Sequence, residues 1–335
     1  MNRKFSIISR IAAVIAASVA ALTAAAFAEE RRVVAVGDLH GDYDAFVSIA
    51  RDAGLINKKG KWSGGDTILV QLGDIPDRGP DTLKIINHLK SLERAATKRG
   101  GKVIVLIGNH EAMNMTDDLR YVTAEEYAAF KTRNSSRMRE RYFFEHRADL
   151  KARYGEELDL EAVRTRFEKD APLGYIEHRL AWRPQGEIGK WVMKHDAVLK
   201  IGDSVFVHGG ISDAYVGRSP DEINGAVRAA LSGEGPADIL TDEAGPLWHR
   251  GNAAPETDEG AAEVARALDA LGASRIVIGH TPSLDGPKFL YGGKVIVVDT
   301  GNSAAYGGVR SWLEIKDGEA SAHIVGAAPE RERAQ

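Results

Sequence analysis

The stretch Val33-Val34-Ala35-Val36-Gly37-Asp38-Leu39-His40-Gly41-Asp42 sets a short β-branched run directly before a polar turn carrying an aspartate and a histidine. β-Branched side chains suit a pleated, buried surface, and the flanking glycines let the chain turn sharply, so the run reads as a strand and the turn as its carboxyl end. The same pattern returns four times. Residues 68–72 precede Gly73-Asp74-Ile75-Pro76-Asp77-Arg78-Gly79, and residues 103–107 precede Gly108-Asn109-His110-Glu111. Residues 205–207 precede His208-Gly209-Gly210, and residues 276–278 precede Gly279-His280-Thr281. Ligands of open α/β sheets bind beyond the carboxyl ends of strands. Five such ends deliver Asp38, His40, Asp74, Asn109, His208 and His280 to one rim.

Between these turns, strand-type runs at 33–36, 66–72, 102–107, 204–207, 275–278, 294–298 and 309–315 alternate with helical stretches such as 43–53 and 81–99. That alternation predicts an α/β fold built from βαβ units. Neither repeat nor linker interrupts it, so residues 29–335 are expected to form a single catalytic domain. From about 116 to 186 strand signals vanish and Glu, Arg and Ala dominate, which predicts an inserted helical segment. Residues 131–153 hold eight Lys/Arg against three Asp/Glu. The excess reads either as a solvated helix surface or as a basic cap over an anionic-substrate site. Met138 and Tyr142, four apart on that segment, are expected to pack onto the body of the protein.

The 335 residues contain no cysteine, which excludes a thiolate nucleophile, a disulfide scaffold and every Cys-bearing metal site. A formal net charge of −4 provides no global field for nucleic acid, and none is expected as a partner. Arg3, Lys4 and Arg10 precede an uncharged Ala-rich run ending in Ala26-Phe27-Ala28, the pattern of a secretory signal peptide over 1–28 cleaved after Ala28. The protein is therefore expected to be periplasmic or secreted, without stable membrane association once that segment is removed.

Aspartate, asparagine and histidine are ligands for divalent or trivalent first-row metals, and a carboxylate such as Asp74 can bridge two ions. In their order, GDLHGD, GDIPDRG, GNHE, HGG and GHT resemble the calcineurin-like metallophosphoesterase superfamily. Within it the resemblance is to the phosphoprotein phosphatases, the Shewanella-like protein phosphatases above all. It runs from about Val33 to Ile315 and implies an αββα sandwich with a dinuclear metal centre, Mn²⁺ first and Fe or Zn as alternatives. Carried onto this sequence, it implies one metal on Asp38, His40 and Asp74 and a second on Asp74, Asn109, His208 and His280. His110 becomes the acid that protonates the leaving oxygen, Asp77 its partner, and Arg78 and Arg250 the phosphate-binding arginines. The implied reaction is phosphomonoester hydrolysis by direct attack of a metal-bridging hydroxide, on phosphotyrosine, phosphoserine/threonine or small phosphate esters. A dinucleoside polyphosphate hydrolase and a non-catalytic metal- or phosphate-binding module are the alternatives. His88, His146, His178 and His195 fall in no motif and read as ordinary helical or surface histidines.

Two departures from the resembled pattern matter. Pro282 stands where many metallophosphoesterases place a second histidine after Gly279-His280, which points away from nucleotide phosphodiesterases. Asp299-Thr300-Gly301-Asn302-Ser303 with Tyr306-Gly307-Gly308 replaces the aromatic–Cys loop of the Ser/Thr enzymes, which keeps phosphotyrosine in play.

Overall fold

A computed structural model describes residues 31–326; the expected signal segment lies outside them. Ten strands form two five-stranded sheets. The first has the order β10 (Glu319–Ile324), β9 (Ser311–Lys316), β1 (Val33–Val36), β2 (Ile68–Gln71), β3 (Lys102–Val105). The second runs β4 (Val198–Ile201), β5 (Ser204–Val207), β6 (Arg275–Ile278), β8 (Val295–Val297), β7 (Lys288–Leu290). The central strands β1–β2–β3 and β5–β6–β8 are parallel, and the outer partners are antiparallel.

Alternation along each strand separates two apolar layers. Val33 and Ala35 of β1 join Phe206, Val277 and Ile296 between the sheets, whereas Val34 and Val36 face outward to the helices. Helices α1 (Tyr43–Asp52) and α2 (Thr82–Thr97) supply Phe46, Ile49, Ile85, Ile86 and Leu89 to the helix-facing core. On the second sheet Val227 and Val264 do so, from the helices Pro220–Ser232 and Asp258–Leu271. The layers are thus α, β, β, α, as expected.

All seven expected strands form, with ends that move by a few residues. The three not expected, β4, β7 and β10, are sheet edges. The five turns expected to carry ligands emerge from the ends of β1, β2, β3, β5 and β6.

The insert is helical as anticipated: α3 (Asn109–Met115) leads to α4 (Ala124–Ala129), α5 (Ser135–Glu145), α6 (Arg147–Tyr154), α7 (Leu160–Asp170) and α8 (Tyr175–Trp182). Phe143, Leu150, Val163, Phe167 and Ala171 give it a small core of its own. Met138 and Tyr142 line a cavity within the insert, and Tyr142 stacks on His146 and Phe167 of that segment rather than on the body as expected. Among the described residues no helix is long and apolar enough to cross a membrane.

Candidate metal centre and phosphate site

The five turns bring all six expected ligands together, each at most 5% exposed. Asp74 is the hub. Its Oδ2 lies 3.2 Å from His208 Nε2, 3.8 Å from His110 Nε2 and 3.9 Å from His40 Nε2. Asp38 Oδ2 stands 3.8 Å from His40 Nε2, and Asn109 Oδ1 lies 2.9 Å from His208 Nε2. Two overlapping clusters share Asp74, one with His40 and His110 and the other with His208 and His280. The spacing follows from backbone turns that L-residues rarely adopt. His40, Asp74, Asp77, Arg78 and His280 all have φ between 42° and 74°. Such conformations cost roughly 1–3 kcal/mol each and persist where the surroundings overdetermine them.

Glycine is required at two points by contact. A Cβ on Gly108 would sit 2.3 Å from Asp74 Oδ1, and one on Gly279 would sit 2.6 Å from Asp38 Oδ1. Both loops therefore close directly over the carboxylates.

The donor set fits cations on three grounds. First, ring orientation is fixed from behind: His40 Nδ1 faces Pro76 O at 3.1 Å and His208 Nδ1 faces Leu72 O at 2.8 Å, so donation there leaves each Nε2 lone pair pointing inward. Second, burial pushes His40 down to about 3 and His280 down to about 2, so both imidazoles are neutral ligands at neutral pH, and the buried His280 Nε2 has no hydrogen-bond partner. Third, the carboxyls of Asp38, Asp74, Glu111 and Asp299 are all buried together. Burial and then the charges of Asp299 and Asp74 hold Asp38 well above the usual carboxylate range, an expense that bound cations remove.

The expected acid, His110, also lies here. Its Nδ1 is engaged by the Asp77 carboxylate, whose other oxygen accepts from Asn114 Nδ2 at 3.0 Å. Burial works against the charged imidazole, but Asp74 and Asp77 outweigh it and raise its pKa. Arg78 is wedged between aromatic faces, its guanidinium 4.4 Å from the Tyr121 ring and 5.0 Å from the Tyr306 ring, and its buried Nε has no hydrogen-bond partner. That leaves donors free for an anion. Arg250 is exposed at the rim, where it donates to His280 O at 2.8 Å and to Thr281 Oγ1 at 3.1 Å. None of the four histidines outside the motifs joins the site. His178 is of the helical kind: it lies in α8 and is fully buried against Tyr127, Phe130 and Trp182.

Sequence reasoning assigned no role to Glu111, although it stands in the quoted GNHE. Its carboxylate accepts from the N–H groups of Asp74, Ile75 and Gly108, each at 2.8 Å, and so ties the β2 turn to the β3 turn. Burial and then the Asp74 charge push it up to about 7. In Glu111→Gln an amide NH₂ faces an N–H donor, and we expect a stability loss of about 2–3 kcal/mol by denaturant unfolding. A loss under about 1 kcal/mol contradicts this pinning role. Asn114 and Glu126 behind Asp77, and Tyr121 over Arg78, carried no local signal, and Asp299, although it follows the 294–298 run, was given no role beside Asp38.

The sequence profile of the calcineurin-like phosphoesterase family matches residues 31–284. The chain belongs to the calcineurin-like phosphoesterases. This phosphoesterase is 32% identical to Shewanella-like protein phosphatase 2 of Arabidopsis thaliana, over 87% of its own length and 76% of that protein. It superimposes on the crystal structure of a cold-active protein-tyrosine phosphatase of a psychrophilic Shewanella species with a TM-score of 0.66 and 26% identity, covering 88% and 80% of the two chains. A Saccharomyces cerevisiae serine/threonine phosphatase shares the fold at 15% identity and a TM-score of 0.55, over 90% and 81% of the two chains. The calcineurin-like phosphoesterases are divalent-metal enzymes that hydrolyse phosphate esters, and the two Asp74-centred clusters are groups that could hold such an ion.

Proposed function

We propose that this calcineurin-like phosphoesterase is a metal-dependent protein phosphatase that acts on phosphotyrosine ahead of phosphoserine or phosphothreonine. The observation that carries the reading is the convergence of five other ligand-type residues around Asp74, beside an arginine with unused donors. The aromatic walls of Tyr121 and Tyr306 on either side of Arg78 support an aryl phosphate, as does the likeness to a protein-tyrosine phosphatase.

Asp38, His40 and Asp74 would hold one ion, and Asp74, Asn109, His208 and His280 the other, with manganese the first choice. When bound, the pair supplies positive charge to the phosphoryl oxygens and lowers the pKa of water toward neutrality. The protein's own groups do the rest. Arg78, backed by the two tyrosine rings, grips phosphate oxygens and offsets the charge that grows on them in the transition state. Arg250 reaches the same anion from the His280 side. His110 carries the proton on Nε2 to the departing oxygen, and Asp77, anchored by Asn114 Nδ2, holds the ring through Nδ1 and stabilises its charged form.

Residues 29–335 act as one catalytic domain, exported to the periplasm or beyond after cleavage behind Ala28. The Ala-rich run and the small-x-small pattern at 26–28 support this.

The test is a panel of phosphotyrosine, phosphoserine and phosphothreonine peptides with the Mn²⁺-loaded, exported protein, whose intact mass also reports the amino terminus. Release from phosphotyrosine and a chain beginning at Glu29 are expected. Turnover of dinucleoside polyphosphates with none of any phosphopeptide overturns the substrate reading.

A further inference from the structure

The helical insert lines a partly open cavity of about 910 Å³ between α4 to α8 and the turn at 117–120. This space is separate from the metal centre, and nothing in the mechanism uses it. Arg120, Arg141, Arg153, Arg179 and Arg183 line it, against three carboxylates, Asp117, Glu145 and Asp170. The wall is therefore cationic in a chain whose formal net charge is −4.

The arginines divide by partner. Arg120 is held by Asp118 at 2.8 Å and Arg141 by Glu145 at 2.7 Å, while Arg179 is engaged by Asp117 and donates to Asn114 O at 2.7 Å. Arg153 and Arg183 are exposed, and among the described residues neither has a carboxylate within 4.0 Å. Asp170 is occupied by the Tyr154 hydroxyl at 2.9 Å. Two guanidinium groups without a carboxylate within 4.0 Å thus flank an aromatic-walled space, Arg153 with its guanidinium 5.5 Å from the Tyr154 ring.

The cavity adjoins the phosphate site through a single residue. Leu119 and Arg120 form its wall, and the next residue, Tyr121, lies over Arg78 and packs 5.1 Å from the His110 ring. The Tyr121 carbonyl also accepts from Arg78 N at 2.9 Å. A peptide whose phosphate meets Arg78 therefore lies against the Tyr121 ring, and the two residues before Tyr121 in the chain belong to the cavity wall.

We propose that this cavity seats the acidic residues flanking the phosphorylated side chain of a protein substrate, with Arg153 and Arg183 as their counter-charges. The proposal rests on the protein-phosphatase reading. Continuity with Arg78 favours a peptide over a detached small molecule, since a separate ligand has no need of that path.

The experiment compares kcat/KM for two phosphopeptides of equal length, built on the phosphoresidue turned over fastest, one with Asp/Glu flanks and one with Asn/Gln flanks. An aryl phosphate too small to reach the cavity runs beside them. Two exposed charge pairs give an expected preference for the acidic peptide of about tenfold, expressed in KM. That preference shrinks in 0.5 M salt. Arg153→Gln combined with Arg183→Gln should abolish it while leaving aryl phosphate turnover unchanged, which also reports that the variant folds. No preference in the wild type, or a preference that survives in the double variant, overturns the proposal. So does tight binding of a mononucleotide that leaves peptide turnover untouched, which would mark a small-molecule site. Loss of all phosphopeptide turnover in the wild type, with the aryl phosphate still hydrolysed, refutes the protein-phosphatase reading itself.

Discussion

Asp74→Asn should lower phosphate release from an aryl phosphate by about a thousandfold or more, with little change in unfolding midpoint. Asp74 is the one side chain shared by the two ligand clusters, with three imidazole nitrogens within 3.9 Å of its Oδ2. Burial resists its charge, but His208, His110 and His40 together hold its pKa well below the usual carboxylate range, so it is the most secure anion in the site. Asparagine keeps the size and the oxygen that accepts from His110 N at 2.9 Å. It replaces the other oxygen by an NH₂ group that has no lone pair for a cation and brings no negative charge. A thousandfold is about 4 kcal/mol of transition-state stabilisation, within what metal charge supplies to phosphoryl transfer. The check is steady-state hydrolysis with excess Mn²⁺, paired with thermal unfolding. Activity within tenfold of wild type in a folded Asp74→Asn protein contradicts the bridging role.

His110→Asn should show a loss that depends on the leaving group. A proton delivered to the departing oxygen is worth typically 10²–10⁴-fold for an alkoxide, and little for a nitrophenolate, which leaves readily as the anion. The expected result is a fall of about a hundredfold or more on a phosphoserine peptide or alkyl phosphate, but less than about tenfold on p-nitrophenyl phosphate. Asp77→Asn should move both rates in the same pattern by smaller amounts, because it removes the anion that steadies the imidazolium while Asn114 still offers its amide nearby. Equal losses on both substrates would mean that His110 contributes to ground-state binding or to metal ligation. Its 3.8 Å approach to Asp74 Oδ2 makes ligation the specific rival.

The ligand-bearing turns were legible in the sequence because the code there is local. A buried parallel strand needs an uninterrupted apolar run, and the chemistry follows within two or three residues of its end. Asp38, Asp74, Asn109, His208 and His280 are all read this way, and all converge. The edge strands were not legible, for the complementary reason. Lys288–Leu290 and Glu319–Ile324 are largely exposed, so they lack the apolar run of a buried strand. Lys200 interrupts Val198–Ile201 in the same way.

The supporting residues depend on distance in space alone. Glu111 acts 36 and 37 positions away from the amides of Ile75 and Asp74, and Asp299 lies beside Asp38 although far from it in sequence. Glu126 accepts from Asp77 N at 3.2 Å, so the inserted segment also buttresses the residue that engages His110. The basic character of residues 131–153 was visible in the sequence. The sequence did not show that neighbouring carboxylates hold some of its arginines while Arg153 remains free beside a cavity.

Anomalous diffraction from crystals of the Mn²⁺-loaded protein, with metal analysis of the same sample, puts the central claim to its most direct trial. We expect two ions per chain about 3.5–4 Å apart, a separation typical of two-metal hydrolytic sites. One should be coordinated by Asp38 and His40, the other by Asn109, His208 and His280, with an oxygen of Asp74 between them. A chain that binds no ion there after loading, or a single ion without contact to Asp74, would contradict the account.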